Sequence, residues 1–352
     1  MFKKVGIVVA VLAVVGIIVL WPKISLYFAG SKEVVNTNKV DFFFDAKSDL
    51  KGLADQLEKA KIIDDKDAFL KVGEYKELNT ERLASGKYVI EPGTNYKTIL
   101  NGFTKNSNGN GNAEVEVEVT FNNCRDVIQL AGKVSKCIMT DSTQLAEFLT
   151  SDATLKKYDF TPEQLPALFL PNTYKMFWDT DAEQFLQRMA KEFKNFWTPE
   201  RMSKLQAVGL KSPSEAVTLA SVVYSEQGKH KSEWPIIAGL YLNRIAKGMK
   251  LQSDPTFKFC WGDELKGVQR LTYEHRDRDC PYNTYLYKGL PPGPICIPPT
   301  ECVDAVLNRD KNDYIFMMAK ADYSGLHDFT VNYADHDRLA GIYSKWLKRE
   351  GY

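Results

Sequence analysis

The chain has 352 residues, 44% of them hydrophobic, which is enough for two or three packed units and a sizeable core. Basic and acidic residues number 46 and 45, and a formal charge of +1 provides no broad basic surface, so nucleic acid is not an expected partner.

The N-terminus reads MFKKVGIVVAVLAVVGIIVLWPK, with Val5 to Trp21 uncharged between Lys3, Lys4 and Lys23. As a helix rising about 1.5 Å per residue it spans roughly 25 Å, and with Phe2 and Trp21 at its edges it is expected to anchor the chain in a membrane. A cleaved signal peptide has a shorter apolar region ending in an A-x-A-like site, and no clear site of that kind follows. Lys3 and Lys4 are expected to stay cytoplasmic, which places everything after Trp21 outside the cytoplasm. Cysteines 124, 137, 260, 280, 296 and 302 then sit where disulfides persist. Six thiols allow too many pairings for the connectivity to be read. Cys124 with Cys137 and Cys260 with Cys280 are the expected pairs as neighbours in sequence. No C-x-x-C spacing occurs, so a zinc site is not expected.

After the polar stretch SKEVVNTNK, Val40 to Phe44 reads as a strand and SDLKGLADQLEKAKI as a helix capped by Ser48, with Leu50, Leu53, Leu57 and Ile62 on one stripe. A second helix across DKDAFLKVGEYKEL, a strand at GKYVIEP and a helical run at NYKTILNGF complete a small α+β unit. Its order, strand–helix–helix–strand, resembles a LysM-like module. The run of Asn, Ser and Gly from Asn106 to Asn112 is a loop that cannot build a core. EVEVEVTF alternates, with Val115, Val117, Val119 and Phe121 on one face and glutamates on the other, the mark of a strand. Helical patterns cover most of Arg125 to Gln206, interrupted at FLPNTYKMFWDT, where Pro171 and the aromatics suggest a packed turn.

SPSEAVTLASVVYSEQG opens with a capping box, Ser212 as N-cap, Pro213 at the first helical position and Glu215 three residues on, and Gly228 is a credible stop. Ala216, Leu219, Ala220 and Val223 form the expected core stripe, and Glu226 lies only about 20° from it. The acid therefore faces inward. A carboxylate on an apolar face is costly unless paired, hydrogen-bonded or protonated, and burial raises its pKa into a range that suits a general acid. The structural alternative is a glutamate paired with a nearby arginine such as Arg244.

A second helix follows in SEWPIIAGLYLNRIAKGMKLQSDPT, with Ile237, Leu240, Tyr241 and Ile245 on its stripe, then a turn at KGMK and an extended LQSDPT. Beyond lie CPYNTYLYKGLPPGPI and YIFMMAKADYSGLHDF. On these motifs the chain resembles the MltG/YceG-like endolytic murein transglycosylases, closely from Leu219 to His336 and more loosely along its whole length. The resemblance implies an α+β fold: a transmembrane anchor over residues 1–24, a linker over 25–38, a LysM-like βααβ module over 39–108 and a mixed α/β YceG-like catalytic domain over 109–352. Residues 109–205 are its accessory part and 206–352 its catalytic core.

The family's catalytic acid falls on Glu226, while Tyr224, Gln227 and Asn172 depart from the family pattern. Tyr224 sits about 200° around the helix from Glu226 and points away from it. The implied reaction is non-hydrolytic cleavage of the β-1,4 bond between N-acetylmuramic acid and N-acetylglucosamine within a peptidoglycan strand. The sugar's own C6 hydroxyl closes a 1,6-anhydro ring, and Glu226 serves as acid and then base. An intramolecular nucleophile explains how one carboxylate suffices where a hydrolase needs two. Gln252 and Asp254 are candidate contacts to sugar hydroxyl and acetamido groups, with a turn at Asp254–Pro255 as the other reading. Asn283 and Tyr285 are expected to line the groove, and GLPPGPI to form a rigid wall. His327 is expected beside the site. It lies nine residues from His336, which is not a helical ligand pair, so neither a metal nor another cofactor is expected. The implied partners are peptidoglycan strands, the inner membrane that holds the single-pass anchor, and peptidoglycan synthases, with the bulk of the chain periplasmic. The rival functions are a muramidase-type hydrolase with Asp254 as base and a non-catalytic membrane-tethered glycan-binding scaffold.

Overall fold

The computed structural model describes residues 18–105, 114–265, 268 and 272–351. The expected membrane segment and the Asn106–Asn112 loop therefore lie largely or wholly outside the described residues. Among those residues, α1 (18–31) opens the chain, and no helix is long and apolar enough to cross a membrane. The chain divides into two compact units, one built from Met1–Glu118 with Cys137–Met139 and Lys175–Thr180, the other from the remainder. The boundary drawn from sequence at residue 108 falls inside the first.

In the first unit, β1 (Val40–Phe44) pairs antiparallel with β2 (Gly86–Ile90) in the register Val40↔Ile90 to Phe44↔Gly86. Alternation along β1 buries Phe42 and Phe44 and leaves Phe43 45% exposed. The Phe103 ring packs edge-on against both inward rings at 5.8 and 5.5 Å. Between the strands run α2 (Leu50–Lys59) and α3 (Lys66–Tyr75), and α4 (Tyr96–Gly102) follows β2. Each begins on a side-chain cap: Asp49 accepts from Gly52 N, Asp65 from Ala68 N and Asn95 from Thr98 N. The cap of α2 is thus Asp49 rather than Ser48, because the carboxylate reaches the free N–H groups of the first turn. A Cβ on Gly73 would lie 2.6 Å from the Leu50 methyls, so only glycine lets α2 and α3 pack this closely.

The second unit begins in β3 (Val117–Phe121), then runs through α5 (Val127–Val134), α6 (Ser142–Thr150) and α7 (Asp152–Tyr158) to β4 (Asn172–Met176). The segment expected as a packed turn is thus partly a strand. Phe121 stacks on Tyr174 at 5.6 Å, and Thr120 Oγ1 lies 2.7 Å from Thr173 Oγ1, so the aromatics serve a sheet face. Next come α8 (Ala182–Phe196), α9 (Pro199–Ala207), α10 (Pro213–Glu226), α11 (Trp234–Ala246), α12 (Asp254–Trp261), α13 (Tyr273–Arg276) and α14 (Thr300–Leu307). A hairpin of β5 (Phe316–Ala319) and β6 (His327–Thr330), paired antiparallel with Ala319↔His327, leads into α15 (Tyr333–Arg349).

The helix α10 is the axis of this unit. Ser212 Oγ accepts from Glu215 N at 3.2 Å as expected, although the Glu215 carboxylate reaches back to Lys211 N rather than to the cap residue. Every residue from Ala216 to Val223 is buried, where a single core stripe was expected. The whole circumference is covered because α11, α12, α14 and the turn Leu165–Leu168 pack around it. Each buried Leu or Val contributes about 1.5–3 kcal/mol, so the helix is held rigidly. Ser221 Oγ accepts from Ile295 N at 3.0 Å and ties the Gly- and Pro-rich wall to it. Within that wall, a Cβ on Gly293 would meet Glu163 O at 1.9 Å.

Cys260 and Cys280 form the expected disulfide, but Cys124 and Cys137 do not. Both stay free thiols, Cys124 buried and Cys137 part-buried, with the eight residues of α5 between them in sequence.

Candidate active site

The polypeptide leaves the helix of α10 directly after Glu226. Gln227 takes φ −133°, and its side-chain Oε1 accepts from Lys229 N and His230 N, both at 3.1 Å, so the stop lies one residue before the expected Gly228. This end of the helix carries the negative pole of the backbone dipoles, which disfavours an ionised carboxylate there.

Glu226 is part-buried, and both of its hydrogen bonds fall on one oxygen. Tyr241 Oη donates to Oε1 at 2.6 Å, and Ser253 Oγ donates to the same atom. Among the described residues Oε2 has no hydrogen-bond partner. Burial pushes the Glu226 carboxyl above its ordinary range. The hydrogen bonds from Ser253 and Tyr241 pull it down and the Asp254 charge pushes it up again, and the net direction is upward. The expected structural partner, Arg244, is engaged elsewhere. Its guanidinium donates to Lys250 O at 2.9 Å, Ile315 O at 3.1 Å and Gln252 Oε1, and at 7% exposure it holds the chain after α11 in place.

Glu226 opens onto a cavity of about 560 Å³, within the roughly 300–1,000 Å³ usual for ligand sites. Gln252, Asp254, Tyr285 and His327 line the same cavity, so five of the six site residues read from sequence converge on it. Gln252 sits at φ 53°, a left-handed conformation costly for a non-glycine residue, and its N–H donates to Thr284 O at 3.1 Å. Asp254 is the first residue of α12, not the tip of a turn, and its Oδ1 accepts from Tyr285 Oη at 2.6 Å.

Asn283 is the exception. It is fully buried, donates to Arg276 O at 2.7 Å and Arg278 O at 2.9 Å, and accepts from Tyr285 N at 3.0 Å. Its amide meets the unpaired backbone groups of its own loop, so it shapes the support of Tyr285 and does not face the groove. Tyr224 points away from the acid, as expected, with its hydroxyl donating to Asn123 Oδ1 at 2.8 Å. Gln227, singled out in the sequence as a departure from the family pattern, braces the site from behind together with the buried Glu233, which sequence reasoning missed. Gln227 Nε2 bonds Glu233 Oε2 at 2.8 Å and Gly325 O at 2.9 Å, while Glu233 clamps His327 through two bonds of 2.8 Å. Glu233 and His327 are 94 positions apart, and nothing in the local pattern of either signals the other.

The cavity therefore presents one oxygen of a buried carboxyl, a neighbouring carboxylate, an imidazole and several hydrogen-bonding groups, an arrangement able to protonate a leaving oxygen and bind a polar substrate. Among curated proteins, the chain is 32% identical over 165 residues to the endolytic murein transglycosylase of Bacillus subtilis strain 168, covering 47% of this chain and 44% of that protein. It is 27% identical over 177 residues to the endolytic murein transglycosylase of Streptococcus pneumoniae serotype 2 strain D39, covering 50% and 31%. The chain spans less than half the length of these curated relatives. A putative yceG-like protein from Listeria monocytogenes shares the fold, with a TM-score of 0.54 at 23% identity over 86% of this chain and 99% of that one. The model of the YceG-like family matches residues 43–341, a span that takes in α10, α11 and every cavity-lining residue named above, and on that match the chain belongs to the YceG-like family.

Proposed function

We propose that the protein is an endolytic lytic transglycosylase that cuts MurNAc-β-1,4-GlcNAc bonds within peptidoglycan strands and leaves 1,6-anhydroMurNAc ends. The observation that carries this reading is the free Oε2 of Glu226, on a carboxyl that burial favours in its protonated form. In the reaction Glu226 gives its proton to the glycosidic oxygen as the C1–O4 bond breaks and positive charge develops at C1. The C6 hydroxyl of the same sugar attacks C1, already held within reach, and its proton passes to a base in the cavity. The names of the Bacillus and Streptococcus relatives support the same substrate.

The apolar N-terminus supports a single-pass place in the inner membrane with the bulk of the chain periplasmic, acting on nascent glycan beside peptidoglycan synthases and setting strand length. The βααβ order of the first unit supports a LysM-like module that holds or spaces the glycan. A muramidase-type hydrolase is the second reading, because Asp254 lines the cavity close enough to act on the charge of Glu226. Product ends separate the two. Uncrosslinked glycan incubated with the full chain in detergent is expected to yield anhydro ends, lighter than reducing ends by one water in mass spectra, and Glu226→Gln is expected to yield none. Reducing ends throughout would mean hydrolysis, and full cleavage by Glu226→Gln would remove the acid from the mechanism.

A further inference from the structure

Two groups in the cavity are able to receive the proton of the attacking hydroxyl: the carboxylate that Glu226 becomes after donating, and the ring of His327. We propose that His327 Nε2 is the acceptor, which makes His327 a second catalytic residue that divides the work with Glu226. The inference rests on the transglycosylase reading above.

The geometry around His327 leaves little freedom to its ring. Glu233, only 6% exposed, accepts from the His327 backbone N–H on Oε1 and from Nδ1 on Oε2, both at 2.8 Å, and Gln227 Nε2 donates to Oε2 at 2.8 Å. Burial raises the Glu233 carboxyl, but the bonds from His327 and Gln227 outweigh it and hold it below the ordinary value. An ionised carboxylate only accepts, so Nδ1 carries a proton and the neutral ring has its lone pair on Nε2. Nε2 has no hydrogen-bond partner among the described residues, and the ring lines the cavity that Glu226 lines. A carboxylate bonded to one ring nitrogen, with the other free to take a hydroxyl proton, is the arrangement that activates serine nucleophiles. Here the hydroxyl belongs to the substrate.

The step balances without water. The Glu226 proton goes to the glycosidic oxygen as C1–O4 breaks, C6–O forms the bond to C1, and the C6 hydroxyl proton passes to Nε2. Transfer of that one proton from the imidazolium to the Glu226 carboxylate restores the starting state. Glu233, before α11, bonds the ring directly, and the other ionisable groups that line the same cavity are Glu226 on α10, Tyr241 and Arg244 on α11, Asp254 and Lys258 on α12, Tyr285, and Tyr333 and His336 on α15.

The test is kcat against pH for the full chain and its variants on uncrosslinked glycan, with the ends read by mass spectrometry. Wild type is expected to show an acidic limb, because the base must be neutral. His327→Gln should lower kcat by about 100-fold or more with KM little changed, and without that limb. Free imidazole added to His327→Ala should recover part of the lost kcat. Glu233→Gln still offers Nδ1 an acceptor but removes the charge that favours the imidazolium, so its acidic limb should move to lower pH. This variant also reads the prediction if His327→Gln fails to fold. The proposal is overturned if His327→Gln keeps kcat within about threefold of wild type. It is equally overturned if the acidic limb is absent from wild type or unmoved in the variants. Reducing ends from wild type would overturn the transglycosylase reading as well, whereas anhydro ends with indifferent His327 variants would overturn this inference alone.

Discussion

Replacing Glu226 by Gln is expected to destroy activity and to stabilise the fold. The amide oxygen can accept from Tyr241 Oη and Ser253 Oγ as Oε1 does, and the amide nitrogen takes the place of the unpartnered Oε2. Two hydrogen bonds to a charge become hydrogen bonds to a neutral group, a loss of roughly 1 kcal/mol each. Against this, the substitution removes a buried charge whose effective desolvation penalty is several kcal/mol. The net expectation is a gain of about 1–3 kcal/mol wherever the wild-type carboxyl is ionised. The pH dependence has a definite sign. The folded-state pKa of Glu226 is raised, so its contribution to stability is fully present below the unfolded value and is lost as pH rises through the folded value. Urea unfolding of the second unit should therefore show Glu226→Gln ahead at pH 8, with the gap closing at pH 4, while turnover falls by roughly 10²–10⁴-fold. A variant less stable than wild type at pH 8, or a difference independent of pH, would refute the claim that the acid is held at a cost.

Tyr241→Phe removes a donor that pulls the Glu226 carboxyl down, so the alkaline limb of activity should move to higher pH; a limb moved to lower pH in the pH–rate profile would contradict this. Cys260→Ser opens a crosslink between residues 20 apart in sequence, and chain entropy predicts a loss of about 3 kcal/mol in urea titrations, matched in wild type by reductant. Equal midpoints would count against a stabilising role. Gly293→Ala drives a methyl into the Glu163 carbonyl, and thermal unfolding should show a loss of about 1–3 kcal/mol or more. Because Ile295 N is tied to Ser221 Oγ, the displacement should reach α10 and lower kcat too.

Features that depend on neighbours in sequence were legible before the structure was known. The Ser212 cap, the inward turn of Glu226, the strand Val40–Phe44 and the alternation ending in Phe121 follow from helix or strand periodicity and local capping. Periodicity could not show that α10 is buried on every side, because a core helix loses its polar face and with it the stripe. Asn283 was misplaced for a related reason: an amide suits a sugar and a crowded loop equally well, and only tertiary structure tells which it meets. The Glu233–His327 clamp joins the turn before α11 to β6, and such long-range pairings leave no trace in either local pattern.

The source of the new bond at C1 is the point on which the whole account turns. Digestion of uncrosslinked glycan by the full chain in water enriched in heavy oxygen, followed by mass spectrometry of the released ends, reads it directly. If the sugar's own C6 hydroxyl closes the ring under the proton of Glu226, the anhydro ends carry no heavy oxygen. Ends labelled at C1 would show that water had attacked instead.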